Sequence, residues 1–225
     1  MNYPLLLGLL LAGTLVKAQN RHTVFKDSVG ALTTYVDHHG ATFEGRYKSV
    51  YDKPTNTRVL VRRSPAELAQ EMAVTAKRVT VTQKLGQPLP AFRAVDYGGQ
   101  AFDSEQLKGR VLVLNFWFVG CGLCEMERTS LNRLHAKYAH DSTVVFLSFV
   151  RSRREVVDKF LVNAPFAYPI ATLDAALQAQ FKPGGYPTNL VIDKRGRYAY
   201  EGLGAGVGST ILLEAAIEQA RHGSN

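Results

Sequence analysis

Two continuous apolar runs in the second half of the chain have the pattern of buried β-strands. Residues 111–118 form the first run and residues 143–150 form the second. A strand that is covered on both faces shows such a run rather than strict alternation, because both faces need apolar side chains. We therefore expect the two runs to be central strands of one sheet.

Helix and strand signals alternate around these runs. The stretch that follows residue 118 predicts a helix ending near Tyr138, and Ser152-Arg153-Arg154-Glu155 has the form of a capping box that opens a helix to about Val162. Two further strands, expected to form a hairpin, and a final amphipathic helix are predicted at residues 188–193, 198–203 and 209–220. Such alternation predicts an α/β fold in which helices flank a central sheet.

The first residues have the features of a secretory signal peptide. Residues 5–16 are an apolar run, and Val16-Lys17-Ala18 places small residues where cleavage after Ala18 is expected. Only the amino terminus supplies positive charge before the run, so an uncleaved membrane anchor is the alternative. The run is short for a membrane span. We expect a protein exported to the periplasm or cell envelope.

The region between the signal peptide and the α/β part predicts a small module that is mainly β. Residues 31–36, 42–51 and 57–61 have strand-like composition, and they are separated by turns at His38-His39-Gly40 and at residues 52–56. Ser64-Pro65-Ala66-Glu67 has the form of a helix start, with the helix expected to reach about Lys77. A Pro- and Gly-containing break at residues 85–90 suggests the division: 1–18 signal peptide, 19–83 α+β module of unknown role, 84–225 α/β domain.

Composition limits the classes of function. The chain is 46% hydrophobic and 20% charged, which excludes a disordered or fibrous protein. Its net charge is +8, but the basic residues are spread along the chain rather than interleaved with aromatic residues, so we expect no nucleic-acid partner. A basic surface favours acidic protein partners or anionic membranes. Arg151, Arg153 and Arg154 are candidates for such contacts or for stabilising a thiolate, although a solvated helix start is the simpler interpretation.

The chain has two cysteines, and both lie in Cys121-Gly122-Leu123-Cys124. A disulfide that closes so short a loop stabilises a fold by only about 2 kcal/mol. No second pair exists and the histidines do not fall at zinc-finger spacing, so no metal site is expected. Where a buried strand gives way to a helix, the helix N-terminus favours a thiolate. We therefore interpret Cys121 as the attacking thiol and Cys124, one turn further on, as the resolving thiol.

A carboxyl group interrupts the apolar stripe of the same helix. The stripe follows spacings of four, four, three and four, and its members are Leu123, Glu127, Leu131, Leu134 and Tyr138. Burial would raise the pKa of Glu127, which lies three residues after Cys124. We hypothesise that Glu127 takes up and returns the proton of Cys124. The alternative is a side chain that reaches solvent at the edge of the stripe.

Residues 115–127, Asn-Phe-Trp-Phe-Val-Gly-Cys-Gly-Leu-Cys-Glu-Met-Glu, resemble the active-site segment of the TlpA/ResA-like branch of the thioredoxin superfamily. The resemblance covers roughly residues 83–225. It implies a thioredoxin-like sandwich around a mixed sheet, exchange with protein thiols and disulfides, and no cofactor beyond the Cys121–Cys124 disulfide. It also implies that Glu127 is the glutamate of that family's site.

The same resemblance points to a late proline. Tyr186-Pro187-Thr188 is similar to the segment that carries the family's cis-proline, which faces the cysteine pair, whereas a plain turn proline is the simpler interpretation without the family. The substrate-binding residues expected from the resemblance and from position beside the cysteines are Trp117, Gly120, Tyr186, Pro187 and Thr188. A membrane-embedded thiol electron donor is the partner that the family implies.

Three positions depart from the family pattern. Gly120 stands where a tryptophan is usual, Leu123 where a proline is common, and Thr129 where a helix proline is common. We expect Gly120 to loosen the approach to Cys121. These changes leave the direction of electron flow open, with the family favouring reduction of clients. They also leave two alternatives: a peroxiredoxin-like peroxide reductase, and a redox-inactive binding module.

Overall fold

The computed structural model describes residues 23–81 and 83–223. The predicted signal peptide, residues 1–18, lies outside these ranges. Within them, no helix combines the length and apolar character needed to cross a bilayer.

The described part of the chain alternates short strands with helices. The elements, in chain order, are β1 (Val24–Lys26), α1 (Tyr35–Phe43), β2 (Tyr47–Asp52), β3 (Thr57–Arg62), α2 (Pro65–Val79), β4 (Arg93–Val95), β5 (Ala101–Asp103), β6 (Val111–Trp117), α3 (Gly122–Lys137), β7 (Val144–Val150), α4 (Arg154–Asn163), β8 (Ile170–Thr172), α5 (Ala175–Phe181), β9 (Thr188–Ile192), β10 (Tyr198–Leu203) and α6 (Ser209–His222).

A mixed five-stranded sheet in the order β10-β9-β6-β7-β8 forms the centre of the molecule. Strand β6 runs parallel to β7 and antiparallel to β9, and β9 and β10 form the expected hairpin. Every residue of β6 and β7 is buried, which confirms the interpretation of the two apolar runs. The α/β sandwich predicted from the sequence is therefore confirmed.

Alternate side chains of β6 serve two separate cores. Leu112, Leu114 and Phe116 pack on one face of the sheet, where α5 contributes Leu177 and Phe181. Val111 and Val113 point to the opposite face, which is covered by apolar residues of α3 and α6. Because both faces are filled, β6 is fixed in register, and the chain segment that leaves it at Trp117 begins from a rigid position.

Two predicted helix starts differ in their outcome. Ser64 and Glu67 form the expected capping box of α2, with both hydrogen bonds present. Helix α4 begins near the expected place, but its N-cap is Arg153 and no side chain caps it. Ser152 does not cap because its hydroxyl accepts a hydrogen bond of 2.9 Å from the backbone N–H of Val119, in the loop before the cysteines.

The N-terminal module contains a three-stranded sheet in the order β1-β3-β2, together with α1 and α2. The expected strand at residues 31–36 is wrong, and so is the turn at His38-His39, because the chain forms α1 there with Thr34 as its N-cap. The Thr34 hydroxyl accepts from the N–H of Asp37, and α1 packs against α3. Capping and packing against α3 together override the local strand preference.

The module lies directly on the helix that follows the cysteines. At Gly40, an added Cβ would stand 3.5 Å from the Met126 carbonyl oxygen and 3.8 Å from Thr129 Cβ, so α1 approaches α3 closely there. Thr75 of α2 donates to the Val207 carbonyl, and the N–H of Val81 donates to the carbonyl of Glu201. The two parts are thus in contact, and their division at residues 83 and 84 stays a prediction.

Replacement of His38 should destabilise the module. The residue is 0% exposed, and its ring nitrogens contact the Lys26 carbonyl oxygen at 3.1 Å and the Ser49 hydroxyl at 2.8 Å. His38→Ala leaves both partners unpaired beside a cavity, so we expect a loss of about 2–4 kcal/mol in the free energy of unfolding. Urea denaturation measures this loss, with His140→Ala at an exposed histidine as the control. Equal stability of the two variants would contradict the account of His38.

Candidate active site

The two cysteines meet at the N-terminus of α3. Cys121 is the N-cap residue and Cys124 lies in the first turn, and the two form a disulfide with a Cα–Cα distance of 5.3 Å. The N–H of Cys124 donates to Cys121 Sγ at 3.3 Å. When the disulfide is reduced, the sulfur of Cys121 is therefore placed where a helix end stabilises negative charge.

The residue before the first cysteine lies in a turn that is hydrogen-bonded to α3. Gly120 has φ +92°, and its N–H donates to Glu125 Oε1 at 3.1 Å. A Cβ added at Gly120 would meet no atom within 4 Å, so the requirement for glycine comes from the backbone angle and not from lack of space. Gly120 thus forms a defined turn that leads into α3, and its effect on the approach to Cys121 stays a prediction.

Glu127 lies inside the molecule, between α3 and the central sheet. Glu127 is only 1% exposed to solvent, which excludes the alternative that its side chain reaches the surface. Asn115 donates to Oε1 at 3.2 Å, and Asn189 donates to both carboxylate oxygens at 3.2 Å. Burial raises the pKa of Glu127 to about 8, and the hydrogen bonds from the two asparagines oppose this increase.

The predicted stripe on α3 fails at its first position. Leu131, Leu134 and Tyr138 are buried as expected, but Leu123 is 42% exposed. Leu123 lies in the first turn of α3, next to the cysteines. The side chain that stands where the family has proline therefore forms part of the surface around the disulfide.

A chain of buried polar side chains extends from Glu127 through the sheet. Asn115 also donates to Asn189 Oδ1 at 2.9 Å, Ser148 donates to Asn115 Oδ1 at 3.5 Å, and Trp117 Nε1 donates to Ser148 Oγ at 2.6 Å. Asn115 is the cross-strand partner of both Ser148 and Asn189. Ser148 and Asn189 are not predicted as site residues from the sequence, although each is a polar residue inside a buried strand.

The structure corrects the placement of two expected substrate-binding side chains. Trp117 is buried, because its indole N–H is used by Ser148 and its ring packs against Phe160 and Phe166. Thr188 is buried as the first residue of β9, and its hydroxyl donates to the Gly185 carbonyl at 2.8 Å. Both side chains lie inside the molecule next to the site, and a part of these residues in substrate binding stays a prediction.

The segment before β9 lies against the same cluster as the cysteines. The Tyr186–Pro187 peptide bond is cis. Tyr186 packs edge-to-face on Phe118, with 5.4 Å between ring centroids, and both rings contact the cluster that contains Cys121 and Cys124. The structure thus brings Tyr186 to the cluster that contains the disulfide, and the position of Pro187 facing the cysteine pair stays a prediction.

The segment of arginines after β7 is joined to the end of β6 by a backbone hydrogen bond. The N–H of Arg151 donates to the Trp117 carbonyl at 3.0 Å, and its side chain is exposed. Arg154 stacks on the ring of Tyr97 at 3.9 Å and forms an ion pair with Asp158, so it is already engaged. Attraction of acidic partners by Arg151 and Arg153 stays a prediction.

Comparisons with known proteins agree with this site. The Redoxin family model matches residues 84–214, which is more than half of the chain. The Bacillus subtilis thioredoxin-like protein YneN is 26% identical over 113 residues, which cover 49% of this chain and 66% of YneN. The thiol-disulfide oxidoreductase ResA of Bacillus cereus is 27% identical over 123 residues, which cover 54% of this chain and 70% of ResA.

Solved structures show the same fold. A putative thiol:disulfide interchange protein DsbE from Chlorobium tepidum superposes with a TM-score of 0.56 at 23% identity, over 62% of this chain and 99% of the other. A putative thioredoxin from Neisseria meningitidis superposes with a TM-score of 0.54 at 23% identity, over 61% of this chain and 91% of the other. The chain therefore belongs to the Redoxin family and is a TlpA/ResA-like thiol-disulfide oxidoreductase of the thioredoxin superfamily.

Proposed function

We propose that the protein is exported and reduces disulfides of protein clients through the Cys121–Cys124 pair. The observation that carries the proposal is a buried carboxyl group, Glu127, one turn along α3 from the resolving cysteine, and none of the residues that the structure describes pairs a cation with it. A disulfide that only stabilised the fold would have no use for such a group, which is costly to bury. A pair that must gain and lose protons has a use for it.

The first step begins from the reduced pair. The thiolate of Cys121, at the N-terminus of α3, attacks one sulfur of a client disulfide. A bond forms between Cys121 and the client, the client disulfide breaks, and the second client sulfur leaves as a thiolate. The half-exposed ring of Tyr186 and the exposed side chain of Leu123 offer apolar contacts to the client beside this reaction.

The second step uses the proton acceptor. Glu127, with its pKa raised to about 8, accepts the proton of Cys124, whose thiolate then attacks Cys121 Sγ. The bond to the client breaks as the Cys121–Cys124 bond forms, and the departing client sulfur takes up a proton. Because a carboxyl group with this pKa is close to the ordinary range of thiols, the transfer is nearly balanced in both directions. Two electrons have then passed to the client, the proton of Cys124 stays on Glu127, and solvent supplies the protons that the two client thiolates take up.

The oxidised pair must be reduced again before the next cycle. We propose a membrane-embedded thiol carrier as the electron donor, with the protein acting in the periplasm or cell envelope. Support comes from the apolar run at residues 5–16 and from the similarity to ResA and DsbE. During this reduction Glu127, protonated at neutral pH, returns its proton to Cys124.

Replacement of Glu127 should slow the second step and change its pH dependence. In the native protein the rate of resolution should rise with pH through about 8, because Glu127 must be ionised to accept the proton. Glu127→Gln should lower the rate about tenfold or more and remove this inflection. Stopped-flow measurement of client release from a Cys121 mixed disulfide tests the expectation. Glu105→Gln, at an exposed carboxyl, is the control, and an inflection retained in Glu127→Gln would contradict the role.

The order of the cysteines is tested by trapping. Cys124→Ala should accumulate a mixed disulfide between Cys121 and an oxidised protein such as insulin, because the resolving thiol is gone. Cys121→Ala is the matched variant, and it should form at least about tenfold less adduct, since Cys124 lies deeper in the helix. Non-reducing electrophoresis measures both. Adducts formed mainly by Cys121→Ala would reverse the assignment, and none from either would favour the redox-inactive binding module.

A further inference from the structure

A second glutamate in the first turns of α3 touches the backbone at the cysteines. Glu125 follows Cys124 directly, and its Oε1 accepts the N–H of Gly120 at 3.1 Å. Gly120 is the residue before Cys121, and it has φ +92°. The hydrogen bond therefore connects the turn that delivers Cys121 to the helix that the same cysteine caps.

The carboxylate of Glu125 lies in the first turn of α3, whose positive end would otherwise favour the Cys121 thiolate. Acidic groups in the first turn of a helix interact with its positive end, as a thiolate there does. The carboxylate of Glu125 and a thiolate at Cys121 are both negative charges at the N-terminus of α3, and they repel each other. Glu125 therefore opposes ionisation of Cys121.

The charged groups around Glu125 offset this effect only in part. Arg128, one turn further along α3, interacts electrostatically with Glu125, but its guanidinium donates to the Pro165 carbonyl. Arg151 approaches the cysteine loop through its backbone, and its side chain is exposed. The other titratable side chains near the cysteines are Tyr97 and Tyr186, which pack against their cluster, and Glu127, which lies one turn after Cys124 on α3 and whose pKa is raised to about 8 by burial. Among the described neighbours, Glu125 is thus the negative charge anchored at the Cys121 turn.

We propose that Glu125 is a positioning residue that makes the Cys121–Cys124 pair a stronger reductant. It fixes the Gly120 turn by its hydrogen bond, and by its charge it disfavours the reduced form in which Cys121 is a thiolate. The equilibrium that it shifts is the reaction of the protein disulfide with two glutathione molecules, which yields the protein dithiol and one glutathione disulfide. Glu125 holds this equilibrium toward the protein disulfide.

This inference deepens the proposed function, because it addresses the direction of electron flow. It rests on the proposed function only in that the pair must cycle between disulfide and dithiol. The equilibrium with glutathione and the ionisation of Cys121 are both measured without any client. Normal results in these measurements together with no exchange on a client would count against the proposed function and leave the role of Glu125 intact.

Two substitutions separate the charge from the hydrogen bond. Glu125→Gln removes the charge but keeps an oxygen that can accept from Gly120, whereas Glu125→Ala removes both. Glu155→Gln is the matched control, because Glu155 is an exposed carboxyl in the first turn of another helix, α4. All three variants are made in the full chain, and circular dichroism checks that each is folded.

The first measurement follows ionisation and redox equilibrium. Glu125→Gln should move the pH midpoint of iodoacetamide alkylation at Cys121, read by peptide mass spectrometry, to lower pH. It should also shift the glutathione equilibrium about two- to fivefold toward the dithiol, which is the range for one charge at an exposed helix end. Glu155→Gln should change neither. If Glu125→Gln behaves as Glu155→Gln does, the proposed effect of the charge is wrong.

The second measurement tests the anchor. Glu125→Ala should show the same equilibrium shift as Glu125→Gln. It should also react with a small aromatic disulfide more slowly per unit of Cys121 thiolate, by about threefold or more, because the Gly120 turn has lost its acceptor. Equal rates per thiolate in the two variants would show that the hydrogen bond does not position Cys121.

Discussion

The site depends on one constraint, which is that a carboxyl group must be buried one turn from the disulfide, where the described part of the chain supplies no cation to neutralise it. Within residues 23–81 and 83–223, the side chains that donate hydrogen bonds to Glu127 are the amides of Asn115 on β6 and Asn189 on β9. These amides oppose the rise in pKa but do not cancel the cost of burial, so the carboxyl stays largely protonated at neutral pH. In the unfolded chain it would ionise near its ordinary pKa. As pH rises from about 4.5 to 8, Glu127 therefore destabilises the fold, a cost consistent with a functional site.

The elements around the cysteines hold the N-terminus of α3 from several sides. The hydroxyl of Ser152 holds the loop at Val119, Glu125 holds it at Gly120, and α1 packs along the next turn at Met126. Three residues that differ from the family pattern or from the sequence prediction thus all help to hold the N-terminus of α3. Gly120 has the positive φ that the turn needs, and Thr129 lies against α1. Ser152 accepts the Val119 N–H instead of capping α4. The N-terminal module therefore contributes to the packing of the helix that carries the cysteines.

The sequence predicts those parts of the structure whose signals are local. The apolar run of β6, the capping box of α2 and the position of the cysteines between strand and helix each depend on adjacent residues. The strand expected at residues 31–36 is wrong because α1 is stabilised by its contact with α3, which is distant in the chain. The roles of Ser148 and Asn189 cannot be predicted from adjacent residues, because they depend on the strand register that places both opposite Asn115. The family resemblance and the position beside the cysteines suggest that Trp117 contacts a substrate, but its position at the end of β6 places the side chain inside the molecule.

The ionisation of Glu127 in the oxidised protein tests the central claim most directly. Infrared difference spectra between the native protein and Glu127→Gln isolate the carbonyl stretch of the protonated carboxyl group as pH is raised. The account predicts that this band is present at pH 7 and disappears with a midpoint at about pH 8. A band already lost at pH 6, with a midpoint near the ordinary value of about 4.3 for glutamate, would contradict it.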